Sequence, residues 1–140
     1  MEEPKNKTPF HVLLLGIIFD PAKRKILIGR KDGDPELGPE FTWGFPGTEL
    51  FYEKEIHALL KEKLKEKTGY DINNLGAIFT KVYPENKKLL AIYFLCEVIG
   101  GQLRPGGFFK EMEWVDPEEI EKRFTTSFHP RLKEYIMNLK

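Results

Sequence analysis

The amino-acid sequence predicts an α+β domain. Three observations carry this reading. Apolar, β-rich runs lie on both sides of one strongly periodic helix. Turn residues separate the runs at short intervals, and amphipathic helical segments close the chain. Strands on either side of a helix, with more helices at the end, form an α+β layout.

The elements follow in order. Residues 1–9, MEEPKNKTP, are polar and read as a flexible lead-in to a domain spanning 10–140. HVLLLGIIFD, His11 to Asp20, is an apolar run long enough for a buried central strand. PAKRK turns the chain at Pro21, and KILIGRK returns it, so the two runs predict a β-hairpin. Asp32 to Glu40 is a Gly-, Pro- and Asp-rich loop, and FTWGFPG is a short extended piece ending in a Pro-Gly turn. Glu53 to Thr68 is the clearest helix: Ile56, Leu59, Leu60 and Leu64 recur at helical spacing. Gly69 is its C-terminal cap, and Lys65 and Lys67 sit in the last turn, where the helix dipole favours cations. LGAIFTKVY and LLAIYFLCEVIG are two further strands joined through Pro84 to Lys87. KEMEWV is a short strand, Asp116 an N-cap, and PEEIEKRF a helix with Pro117 at its first position. FHPRLKEYIMNLK is a final amphipathic helix.

Composition excludes several classes of function. The 140 residues are 41% apolar and 31% charged, an ordinary globular mix. Lys plus Arg and Asp plus Glu are each 22, so no surplus of positive charge is present to displace counterions from nucleic acid. Cys96 is the single cysteine, in the apolar run YFLCEV; it reads as a buried thiol and rules out an intramolecular disulfide. The first segment is unlike a secretion signal, and no apolar stretch is long enough to span a membrane. The expectation is a cytoplasmic protein. His11, His57 and His129 are scattered, with no zinc-type spacing, and there is no phosphate-binding P-loop, nucleophile elbow or dinucleotide fingerprint.

One segment carries a recognisable pattern. Trp43 to Tyr70 reads WGFPGTELFYEKEIHALLKEKLKEKTGY. It resembles the Nudix signature, G-x5-E-x7-R-E-U-x-E-E-x-G-U (U bulky apolar), which W-x-F-P-G usually precedes. KILIGRK before it, and Glu111, Trp114, Val115, Glu118, Glu119 and Ile120 after it, extend the resemblance over about residues 10–139. The resemblance implies a mixed β-sheet between helices, an α/β/α sandwich. It also implies hydrolysis of a diphosphate linked to a nucleoside or similar group, with Mg2+ or Mn2+ held by glutamates of the box helix. Hard cations need oxygen ligands, and carboxylates one helical turn apart face one site. The metals neutralise phosphate charge and activate the attacking water.

The box departs from this pattern. Aligned without gaps, R-E-U-x-E-E-x-G-U faces Glu62 to Tyr70, E-K-L-K-E-K-T-G-Y. Leu64, Glu66, Gly69 and Tyr70 match. The arginine is Glu62, the two glutamates of the metal face are Lys63 and Lys67, the opening glycine is Thr48, and the upstream glutamate is Lys54. An ammonium offers no lone pair to a metal and repels it. A second register, counted from Gly47, places Glu53, Lys61, Glu62 and Glu66 on the family's pattern. It needs one residue lost and one regained, and it puts Lys63 where the family has an apolar residue. The stripe of Ile56, Leu59, Leu60 and Leu64 favours the gapless register.

The site residues implied by the resemblance therefore span both registers. Glu53, Glu62 and Glu66 form the catalytic set, and Glu62, Glu66 and Glu111 the metal set. Arg30, Gly47, Lys63 and Lys67 form the ligand-contacting set. On the gapless register Lys63 and Lys67 are either plain surface charge or a replacement for the metal charge that holds a phosphate directly, with no metal needed. Read from the helix alone, Glu62 and Glu66 are solvated partners of neighbouring lysines, and Arg30 and Glu111 are strand-end surface charges. Phe41, Tyr83 and Tyr93 are candidates for stacking on a base, whereas Trp43, Phe45 and Pro46 serve packing and loop geometry. The expected partner is a small nucleotide or diphosphate ligand, with metal-dependent hydrolysis weak or altered. The alternative is a non-catalytic module that binds a ligand or a protein. A homodimer, frequent in the family, is one assembly the chain could adopt.

Overall fold

A computed structural model describes residues 10–34, 38–50, 54–124 and 128–139. The chain runs β1 (His11–Asp20), β2 (Lys25–Arg30), β3 (Trp43–Gly44), β4 (Gly47–Glu49), α1 (Ile56–Thr68), β5 (Tyr70–Tyr83), β6 (Asn86–Gly101), β7 (Glu111–Val115), α2 (Pro117–Arg123) and α3 (Pro130–Asn138). The strands form one mixed seven-stranded sheet in the order β3-β2-β1-β6-β5, with β4 paired to β1 and β7 to β2. β1 and β6 are parallel and the other pairs antiparallel.

β1 shows why the sheet needs cover on both faces. Successive side chains alternate between faces. Leu14 and Ile18 join Leu59, Leu60 and Leu64 of α1. Ile17, with Leu13, Leu15 and Phe19 packed alongside, joins Ile120 of α2 and Leu132 and Ile136 of α3. The helices thus lie on opposite faces, giving the expected α/β/α layering, and Leu14, Ile17 and Ile18 are fully buried.

The element bounds differ from the sequence reading in several places: the strand β4 follows the Pro-Gly turn unpredicted, and β6 begins at Asn86, within the expected turn. α1 begins at Ile56 rather than Glu53, because Glu55 is extended (φ −71°, ψ 134°) and its carboxylate accepts from the amides of His57 and Ala58 at 2.9 and 2.8 Å. Those two bonds to the charged form hold the exposed Glu55 carboxyl below its ordinary pKa. β5 begins at Tyr70, five residues before the apolar run that predicted it. Gly69, at φ 84°, caps α1 in the left-handed region and turns the chain straight into the sheet. Asp71, Asn73 and Asn74, with the lone apolar Ile72 among them, hid this start, yet the stretch pairs with β6 through irregular register, helped by a bond from Asn73 to Glu97 at 2.9 Å. At α2, Asp116 occupies the N-cap position without a side-chain capping bond, and Pro117 starts the helix. His129 caps α3 by accepting from the Arg131 amide at 3.1 Å.

Candidate functional site

A cavity of about 280 Å³ opens on the Leu13–Leu15 face of β1. β4 forms one wall: Leu13, Leu14 and Leu15 pair with Glu49, Thr48 and Gly47. The turn before β4 is drawn onto the sheet by the Gly16 amide, which donates to the Pro46 carbonyl at 2.8 Å. Position 47 must be glycine, since a Cβ there would collide with the Leu14 carbonyl.

Lys67, from the last turn of α1, reaches this wall and donates from Nζ to the Gly47 carbonyl. The loop after β6 closes the end of α1: the amides of Arg104 and Gly106 donate to the carbonyls of Thr68 and Lys67 at 2.7 and 2.9 Å. Gly107, at φ 60°, lies over the Lys67 stem, where a Cβ would meet the Lys67 Cγ at 3.4 Å. Burial, reinforced by the nearby charges of Lys31 and Lys63, holds the Lys67 ammonium below its ordinary pKa, with Glu66 opposing. Lys31 also lines the cavity; it pairs with Asp34 at 3.3 Å and lies over the Phe109 ring at 5.5 Å.

Aromatic side chains supply much of the remaining lining. Phe41, Tyr83 and Tyr93 come from three distant segments and meet here. Phe45 packs edge-on against Tyr93 (6.0 Å) and Phe124 (4.9 Å), the packing role expected of it, and it too faces the cavity. The Tyr83 and Tyr93 hydroxyls lie 3.5 Å apart, and burial raises the pKa of both, so they stay neutral donors and acceptors. Lys81 sits 4.5 Å from the Tyr83 ring centroid, and burial pulls its pKa down.

Of the catalytic, metal and ligand-contacting residues implied by the resemblance, Gly47 and Lys67 line the cavity; Arg30, Glu62, Lys63, Glu66 and Glu111 do not. Arg30 and Glu111 face each other across β2 and β7 and form an ion pair at 2.6 Å. Glu62 is exposed, and Glu66, with 55% of its side chain exposed, pairs with Lys63 at 3.3 Å. Glu53 lies outside the described residues. The buried face of α1 consists of Leu59, Leu60, Leu64 and Thr68, and Lys63, which the second register would bury as an apolar residue, is a partly exposed ion-pair partner.

Sequence reasoning missed Lys31, Asp34 and Lys81. Arg30 drew attention as the strand-end cation, but side-chain alternation along extended chain points its neighbour Lys31 the other way, into the cavity. That alternation was readable; the approach of the distant Lys81 was not.

Divalent metal ions, which Nudix hydrolases generally use, do not fit the described residues. Among these, no group of three or more His, Cys, Asp or Glu side chains is placed to hold a metal. On the gapless register, two helix positions that the resemblance gives to carboxylate ligands are Lys63 and Lys67.

Comparison with known proteins agrees with this architecture. The family described as NUDIX domain matches residues 9–138. An ADP-ribose pyrophosphatase from Streptococcus suis is 17% identical with a TM-score of 0.62, over 92% of this chain and 87% of that one. A MutT from a study of Aliivibrio salmonicida and Vibrio cholerae is 19% identical with a TM-score of 0.69, over 91% and 96%. A UDP-X diphosphatase is 15% identical with a TM-score of 0.69, over 96% of this chain and 66% of that one. At these identities the likeness shows the fold. No curated protein matches the sequence.

Proposed function

This chain belongs to the Nudix family, and on that premise we propose that it binds a nucleoside-diphosphate-type ligand in the β1–β4 cavity, with metal-dependent pyrophosphohydrolysis weak. One observation carries the reading. The cavity joins cationic groups, Lys31 and Lys67, to a lining that includes Phe41, Tyr83 and Tyr93. Ammonium groups suit phosphate oxygens, and flat rings with a few polar atoms suit a base. The names of the structural neighbours, an ADP-ribose pyrophosphatase and a UDP-X diphosphatase, support the same ligand class.

Weak hydrolysis follows from charge. Glu62 and Glu66 project from the exposed side of α1, and Glu111 is paired with Arg30. We assign Gly47 and Lys67 to ligand contact, and Lys63 to the charge beside it. The lysines favour a second reading as well, a ligand-binding module with no hydrolysis at all.

Phosphate release from a panel of nucleoside diphosphates and sugar-linked diphosphates, with magnesium and with manganese, tests the proposal. Slow turnover above buffer supports weak hydrolysis. Binding without turnover supports the non-catalytic module. Turnover at rates ordinary for the family would overturn both, and absence of any binding would overturn the ligand assignment.

A further inference from the structure

We infer that Lys67, backed by Lys31 and Lys63, is a built-in replacement for the metal ion, so that this cavity takes a diphosphate group directly and without a divalent cation. The inference rests on the ligand class proposed above. It departs from the metal-dependent chemistry of the family.

The argument is one of charge balance. Lys31 and Lys63 each have a carboxylate, Asp34 and Glu66, both at 3.3 Å. Among the described residues, the contact of Lys67 is to a neutral acceptor, the Gly47 carbonyl. A carbonyl orients an ammonium but does not cancel its charge. With Lys81 and Glu49, which also line the cavity, the described set is four lysines and three carboxylates; it keeps a positive excess, and the site selects an anion. A diphosphate provides several acceptor oxygens for the three donors of an ammonium, and charged hydrogen bonds of this kind are stronger than neutral ones.

The surroundings hold that charge in place. The Lys67 stem is covered by Gly107, and its backbone carbonyl accepts from Gly106. The tether to Gly47 fixes the head group against the cavity wall. A surface lysine would lose far more side-chain freedom on meeting a phosphate. At the cavity wall, burial and the like charges of Lys31 and Lys63 outweigh the opposing charge of Glu66, which favours an incoming anion.

The sign of the metal effect separates this site from a metal-dependent one. Magnesium chelates a free diphosphate and cancels part of its charge. Here it weakens binding, where in a metal-dependent site it is required.

The experiment is calorimetric titration of the full chain with ADP, GDP, CDP, UDP and inorganic pyrophosphate, in chelator and in magnesium. Variants K67M and K67R are titrated alongside, with circular dichroism as the folding control. The expected result is binding in chelator, weaker in magnesium, reduced about ten- to hundredfold in K67M and largely kept in K67R. If K67M does not fold, K31M replaces it, with a loss in the same direction expected. Binding of pyrophosphate alone supports the inference while counting against the nucleoside part of the ligand assignment. Binding only in magnesium, or K67M binding as tightly as the wild type in chelator, overturns the inference and leaves the ligand assignment standing. No binding in either condition overturns both.

Discussion

The Lys67 ammonium donates to the Gly47 carbonyl, tying the last turn of α1 to the start of β4. The two positions are 20 residues apart and belong to the two ends of the segment that resembles the Nudix signature. A cation on the helix thus faces a carbonyl on the loop, across the cavity wall.

Restoring carboxylates should restore metal affinity. The double variant K63E/K67E puts two acidic side chains one turn apart on the same helix face, a spacing suited to one cation. We expect manganese binding, read as loss of free-ion signal in electron paramagnetic resonance, in the variant and not in the wild type. Equal manganese binding by both proteins would show that the lysines do not govern metal affinity.

Lys67 should leave a pH signature in stability. Its pKa is lowered in the fold, so between that lowered value and the ordinary one the unfolded chain holds more protons than the native state. Wild-type stability therefore gains from this group as pH rises through that window, and K67M has no such gain. Urea midpoints at about pH 7 and about pH 10 should shift in favour of wild type over K67M by a fraction of a kcal/mol. A gap that moves the other way contradicts the assignment.

Leu64 anchors α1 to the sheet and is fully buried against Leu14, Ile18 and Cys96 among others. L64A should cost about 2–5 kcal/mol by denaturant unfolding. A Cβ on Gly16 would lie 2.8 Å from the Leu64 Cδ1. G16A should therefore cost less in the L64A background than in wild type, and a double-mutant cycle reads that coupling directly. Additive effects would mean that the two positions do not share space.

Burial pushes the Cys96 thiol up to about 12, and its side chain is fully enclosed. The thiolate is the reactive form. Alkylation by iodoacetamide at neutral pH should be undetectable in the native protein and become fast above the urea midpoint. Rapid labelling without denaturant would show that the Cys96 environment opens.

Much of the architecture was legible because burial leaves a trace in the order of apolar residues. The continuous apolar run of β1 and the stripe of Leu59, Leu60 and Leu64 depend on which faces of each element meet the core. Gly69 was legible because a left-handed cap admits few other residues. The early start of β5 was not, because Asp71, Asn73 and Asn74 leave Ile72 as the single apolar residue between Tyr70 and Leu75, too short a pattern to read as a strand, although Ile72 is buried in the core.

The same division holds at the site. That Lys63 and Lys67 fall where the gapless register gives metal ligands was readable from sequence, since it is a matter of residue type and spacing along one helix, but the choice of register was not. Phe41, Tyr83 and Tyr93 could be named as candidates but not assembled. Only the tertiary structure brought them to one cavity with Lys31, took Arg30 out of it by pairing with Glu111, and aimed Lys67 at Gly47. Helical spacing along one segment fixes which side chains share a face. Which distant loop that face meets depends on sheet order and close backbone approach, and no local pattern encodes it.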